Sequence, residues 1–372
     1  MRLRRWTLGL AVLAGVVLPA VAWAQVTPAG GTAAGDDTQV IRVGAVIFYD
    51  FTYQKLPKVP DAANNSVSPT SFNVARAYIN ITGNISHVVS FRITPDLVRD
   101  TTNVATVGSL LYRLKYGYAQ FALDDWTGNW RQTYVRLGIQ QTPFIDYQES
   151  VYRYRFQGTL FAERDGGLSS SDAGATFHTN LPNLYGDLHV GIYNGEGYNR
   201  AEPNNQKAFM IRGTVRPFPT GNALARGFRG TLFYIGDHVV KNAVRNRFIG
   251  SVALEQRHYN ANFDYLSRTD QTLPTNPKVD SDGYSFFVTP FFKEKGNGPE
   301  ALIRFDSFRS DTTNFKERRQ NRFIIGAAYW FPHPGGNSTA ALMLDWEQVT
   351  FEHPTPAQVK QQRLFVHGLI NF

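Results

Sequence analysis

A period of two runs through this chain and constrains its fold more than any other feature. From Gln39 to Phe372, apolar and polar residues alternate in runs of about ten, broken by Gly/Asn/Pro turns. Ile41, Val43, Ala45, Ile47, Tyr49 and Phe51 share one face, opposite Arg42, Gly44 and Asp50. In the second run, near Phe72–Thr82, Arg76 and Asn80 oppose Ala77 and Ile79. In the third, Val89, Phe91 and Ile93 oppose Ser90, Arg92 and Thr94. Successive side chains on a strand point to opposite faces, so each run reads as a half-buried strand. Further strands are expected near 111–123, 131–140, 172–180, 187–193, 207–216, 228–236, 247–256, 259–266, 284–293, 301–308, 322–331, 340–351 and 363–372, about sixteen in all. Helical periodicity is hard to find over any comparable length.

The two ends of the chain narrow the fold class further. The last nine residues place Leu364, Val366, Ile370 and Phe372 on one apolar face, with a single gap at Gly368. Such a closing strand with a terminal Phe is similar to the last strand of bacterial outer-membrane barrels; the alternative is the last strand of a soluble β domain. At the other end, Arg2, Arg4 and Arg5 precede an apolar run from Leu8 to Val21, then Ala22-Trp23-Ala24. This is the pattern of a secretory signal peptide spanning 1–24, with a retained anchor helix as the alternative. No Cys follows, so a lipid-anchored lipoprotein is excluded and no disulfide is needed. Residues 25–38 read as a disordered lead-in.

Length alone would suggest two or three soluble domains, yet no break in composition divides 39–372. Hydrophobic residues make up 42% and mean hydropathy is −0.29, which excludes a bundle of apolar helices each about 20 residues long. Aromatics reach 14%. Low hydropathy with many aromatics suits a transmembrane antiparallel β-barrel, apolar toward lipid and polar toward its lumen, with aromatic girdles. Short connections (83–87, 181–186, 294–299, 332–338) alternate with longer ones (54–70, 143–171, 194–206, 267–282, 309–320), as expected if both termini are periplasmic. Pro217–Gly227 is long for a periplasmic turn.

The segment Pro143–Ser171 is the longest without alternation, and too aromatic to be disordered. It would be the third extracellular loop, and the surface available to it is the barrel interior. Arg136-Leu137-Gly138-Ile139-Gln140-Gln141-Thr142-Pro143-Phe144, Phe161-Ala162-Glu163-Arg164 and Gly191-Ile192-Tyr193-Asn194-Gly195-Glu196-Gly197 resemble, in order and spacing, segments of the phosphate-selective porin (O and P type) family. The resemblance implies a sixteen-stranded Gram-negative outer-membrane porin, often a homotrimer, with its third loop folded inward to narrow the pore. That family's phosphate ladder does not map residue by residue onto this chain.

Removing the signal peptide takes the formal charge from +8 to +5, since Arg2, Arg4 and Arg5 go with it. Alternation puts Arg42, Arg76, Arg92, Arg136, Arg212, Arg216, Arg304, Arg322 and Arg363 in the lumen, with Arg113 and Lys115. A cation on the lipid face would cost about 2–4 kcal/mol. Rings of Arg favour anions; alternatively, these arginines pair with Asp50, Asp306, Asp345 and Glu347 and brace the wall. The constriction would be formed by Arg153, Arg155, Arg164, Tyr152, Tyr154, Glu149 and Asp146 of the loop, facing Arg136, Arg76, Arg92 and Arg42 of the wall.

These readings lead to a passive channel for small polar solutes with a mild preference for anions, phosphate among them. A general or carbohydrate porin and a non-conducting structural or adhesive barrel are the alternatives. No enzyme constellation stands out, and His178 and His189 read as ordinary residues of one hairpin. No metal or other cofactor is expected. The expected partners are outer-membrane lipids, small anionic or polar solutes, the barrel-assembly machinery acting through Phe372, and two further copies of the chain; no nucleic acid is expected.

Overall fold

The computed structural model describes residues 37–100, 105–332 and 339–372. The expected signal peptide and most of the lead-in lie outside the described residues, as does most of the 332–338 turn.

Sixteen long strands form the wall: β1 (Val40–Leu56), β2 (Thr70–Asn84), β3 (Val89–Arg99), β4 (Leu110–Ala122), β5 (Arg131–Gln141), β6 (Ser171–Asn180), β7 (Gly186–Tyr193) and β8 (Ala208–Val215). They continue with β9 (Phe228–Gly236), β10 (Ala243–Glu255), β11 (Tyr259–Asp270), β12 (Val279–Pro290), β13 (Gly298–Arg309), β14 (Arg319–Phe331), β15 (Thr339–Glu352) and β16 (Gln361–Asn371). Each pairs antiparallel with its sequence neighbours, and β1 pairs with both β2 and β16, so the sheet closes on itself. Val46 marks the seam, opposite Tyr78 on one side and Asn371 on the other. Closure leaves no edge strand exposed. Ala45 and Phe372 exchange two backbone hydrogen bonds (2.8 and 3.0 Å) and extend the seam to the last residue.

The alternation read in the sequence governs the wall. Ile41, Val43, Leu232, Leu342, Leu344 and Ile370 are exposed on the outer surface, while Asn80, Arg92, Arg304 and Asp345 are buried inside. The gap at Gly368 is filled from next door. Gly368 faces Tyr49, whose ring passes within 2.5 Å of where a Cβ would stand. One departure from strict alternation is instructive. Between β3 and β4 the register shifts, so that Thr94 faces Tyr116 and Pro95 faces Leu114. The extra residue is Lys115, and both Lys115 and Tyr116 end up buried inside. Pro95, which lacks an N–H, sits at this bulge.

The connections at the end bearing the termini are mostly short, and those at the opposite end mostly long. Residues 216–227 are the exception at the terminal end. They hold a helical turn, Ala223–Arg226, capped by the Asn222 side chain, which accepts the Ala225 N–H at 2.9 Å. At the far end, 237–242 is shorter than its neighbours.

The third far-end loop, 142–170, does not lie over the mouth. It descends into the barrel as the helix Pro143–Val151, an extended stretch through Tyr154 and the helical turn Phe161–Arg164. Phe144, Tyr152, Tyr154 and Phe156 are wholly or almost wholly buried. They meet apolar residues on the inner face of the wall. Phe144 packs on Phe233, Tyr152 on Phe287, and Tyr154 and Phe156 on Trp330, with ring centroids 5.0–5.9 Å apart. Phe156 also reaches Phe48 on β1. The interior is therefore not uniformly polar, because one side of it is an aromatic core shared by wall and loop.

Candidate functional site in the barrel interior

Every strand delivers polar side chains inward, so function has to be read from which of them meet water. The loop arginines expected at a constriction are spoken for. Arg153 Nη1 donates to both carboxylate oxygens of Glu300 at 3.0 Å, and its guanidinium lies 4.3 Å over the Trp330 ring. Arg155 pairs with Glu149 at 2.9 Å and Glu163 at 2.6 Å. Arg164 pairs with Asp165 at 2.8 Å and with Asp306. Tyr154 donates to Glu300 at 2.7 Å, and Tyr152 to Gln157 at 3.1 Å. Burial raises the pKa of both phenols, so each keeps its proton. Asp146 also lies in this loop, half-buried.

The wall residues divide in the same way. Arg136 is fully buried, donates to Gln120 at 2.7 and 2.9 Å, and lies between the rings of Tyr118 and Tyr134. Arg92 is buried too, donating to Asn80 at 2.7 Å and lying over Tyr116. Arg304 pairs with Asp306 at 2.8 Å, Arg212 with Asp187, and Arg322 and Arg363 with Glu347. Asp345 takes His367 at 3.0 Å. The wall-bracing alternative thus describes much of the lumen. Arg42 stands exposed near the terminal end. His178 and His189 face each other across β6 and β7, buried beside Tyr134. Among the described residues, no group of three or more His, Cys, Asp or Glu is placed to hold a metal.

At the far end the interior opens into a cavity of about 400 Å³. Five arginines line it (Arg76, Arg113, Arg200, Arg245 and Arg247) against three acids (Glu163, Asp172 and Glu196). Of the residues expected at the site, only Arg76 belongs to this lining. Arg76 and Arg113 are each about a quarter exposed and share one oxygen of the buried Asp96, both at 3.0 Å.

The roof of this cavity, the loop 194–207, is expected from the sequence as one of the long loops but not as part of the site. It folds back over the mouth. Gly195 N–H donates to Asp172 at 2.7 Å, Tyr198 N–H to the Ser171 carbonyl at 3.1 Å, and Arg245 to the Gly195 carbonyl at 2.7 Å. Gly195 and Gly197 have φ of +100° and +78°, which lets the backbone turn this tightly. Tyr198 then reaches across to Asp96 on β3 (3.3 Å) and covers Arg113 on β4 with its ring at 4.5 Å. Burial raises the Tyr198 pKa, so its hydroxyl donates. The paired glycines around Glu196 were the one available sequence signal for this turn.

No protein-family model matches the sequence, and no curated protein matches it. Solved structures do. An anion-selective porin from Comamonas acidovorans superimposes with a TM-score of 0.61 at 11% identity, over 90% of this chain and 100% of that one. The outer-membrane channel DcaP of Acinetobacter baumannii gives 0.58 at 10% identity, over 90% and 97%. OmpF of Salmonella typhi gives 0.59 at 10%, over 90% and 100%. At such low identity the likeness is one of architecture, and the chain has the porin fold, a closed barrel of sixteen antiparallel strands.

Proposed function

We propose that this protein is a passive diffusion channel of the Gram-negative outer membrane, admitting small polar solutes with a mild preference for anions. The observation that carries the reading is the combination of an apolar outer wall with an inner cavity lined by five arginines and three acids, four of the arginines being paired with Asp96, Asp237 or Asp270. A sixteen-stranded barrel is wide enough for an aqueous lumen even after a loop has entered it. Most lumen arginines are paired, so the surplus is small and a weak bias fits better than a strict filter. The same pairing argues against a strong preference for phosphate. The reading includes no catalytic step. Assembly as a homotrimer belongs to it as well, on the resemblance and the shared fold.

The test is the reversal potential of the purified protein in a planar bilayer under a potassium chloride gradient. A potential of the sign set by chloride supports the reading, whereas a clear cation preference or the absence of conductance defeats it. Added phosphate should reduce chloride current only modestly. Insertion carries its own expectation. Phe372 closes the barrel seam, so deleting it should lower the amount of folded protein recovered from outer membranes. Unchanged recovery would contradict the proposed membrane assembly.

A further inference from the structure

We propose that charge selection takes place at the Arg76–Asp96–Arg113 cluster beneath the loop 194–207, not at the arginines of the loop 142–170, and that the cluster accepts the carboxylate of small organic anions. The inference rests on the channel reading above. Its ground is the difference between the two sets of arginines.

Each arginine of the inner loop is buried against its own acid: Arg153 on Glu300, Arg155 on Glu149 and Glu163, Arg164 on Asp165 and Asp306. At the cluster, two guanidiniums share one carboxylate, which leaves one positive charge in surplus on the cavity lining, while Glu163 on the same lining is engaged by Arg155. Both arginines spend their N–H groups on one oxygen of Asp96: Arg76 through Nη1, Arg113 through Nε (3.2 Å) and Nη2. Among the described residues neither guanidinium has a further hydrogen-bond partner, and both residues line the cavity. A guanidinium edge matches a planar carboxylate in two-point contact, and Arg113 already grips Asp96 through two nitrogens. Tyr198 is a positioning residue. Its ring covers one face of Arg113 and its hydroxyl donates to Asp96, so it holds the guanidinium in the plane from which a second carboxylate can be met.

The experiment is single-channel recording of R76Q, R113Q, D96N, Y198F and Y198A, each first shown to be folded by its β-type circular dichroism. R113Q and R76Q remove the surplus charge and should lower the chloride-to-potassium permeability ratio about tenfold, because one unit charge about 6 Å away in a water-like dielectric shifts each ion about threefold and in opposite directions. D96N adds to the surplus and should raise the ratio by a similar factor. Y198F keeps the ring over Arg113 but loses the hydroxyl bond to Asp96 and should lose a small part of the ratio, whereas Y198A loses both and should lose more. Acetate added to the bath should reduce chloride current in the wild type and do so less in R113Q. Phosphate acting at lower concentration than acetate would overturn the carboxylate assignment. An anion preference that survives R76Q, R113Q and D96N but is lost on R153Q or R155Q would place selection in the inner loop and overturn the inference while leaving the channel reading intact. A wild type that does not conduct would instead defeat the channel reading itself.

Discussion

Replacing Glu300 with Ala is expected to unfasten the inner loop and to cost about 3–5 kcal/mol of stability, because it strands the Arg153 charge in a buried site. Glu300 is wholly buried, and Arg153 is almost so. Four hydrogen bonds converge on the carboxylate: two from Arg153 at 3.0 Å, one from Tyr154 at 2.7 Å and one from the Gly296 N–H at 2.6 Å. Glu300 is the third residue of β13 and Gly296 lies in the turn before it, both at the terminal end of the barrel. The loop enters from the opposite end, so this contact fixes its tip after it has crossed nearly the whole height of the interior. Arg164 on Asp306 and Arg247 on the Gly166 carbonyl (2.6 Å) hold its return limb near the far end. E300A should therefore lower the thermal unfolding midpoint in detergent and make single-channel current larger and noisier. E300Q retains hydrogen-bonding capacity without the charge and should fall between. An E300A protein with the wild-type midpoint and a quiet current would show that the loop is held by its aromatic packing alone.

The strand pattern was legible because the wall answers to a local rule. Each side chain faces either the outside or the lumen, and the apolar outward set from Ile41 to Ile370 records that choice residue by residue. Strand limits drifted by a few positions only where a loop limb continues the pairing, as at β10, which begins at Ala243 and not near Arg247. The entry of the loop 142–170 was legible as well, from its length and its aromatics.

The partners of that loop were not. Val46, Phe48, Phe287 and Trp330 occupy inward positions where alternation alone calls for polar side chains. What makes them tolerable is the loop that covers them: Phe156 on Phe48, Tyr152 on Phe287 and Tyr154 on Trp330 are 108, 135 and 176 positions apart along the chain. Arg153 and Glu300 are 147 positions apart, and Tyr198 and Asp96 are 102 apart. No periodic pattern reports such pairs. Counting arginines in the loop suggested a charged constriction, but Glu149, Glu163 and Asp165 of the same loop take up part of that charge, and Glu300 and Asp306 of β13 take up the rest. The bulge at Lys115 shifts the outward set from even positions such as Tyr112 and Leu114 to an odd one, Phe121, a change of phase that the apolar Leu111 and Tyr116, one on each side, mask in the sequence.

A charge placed on the outer wall should distinguish a membrane barrel from a water-soluble one with the same strands. Leu344 lies near the middle of β15, exposed, between Ala327 on β14 and Val366 on β16. Its neighbours along the strand, Met343 and Asp345, point inward and are buried, so a substitution at 344 meets only the surroundings of the barrel. If those surroundings are lipid, Leu344→Arg should cost about 2–4 kcal/mol, the usual penalty for arginine near the bilayer midplane. If they are water, an exposed Leu→Arg change should stay within about 0.5 kcal/mol. Reversible unfolding in lipid vesicles, followed by tryptophan fluorescence, measures the difference directly. Wild-type stability in L344R would remove the membrane placement and the channel reading with it. A loss of the expected size, with little change for Leu344→Ala beyond its lost apolar area, would show that the apolar belt is solvated by lipid.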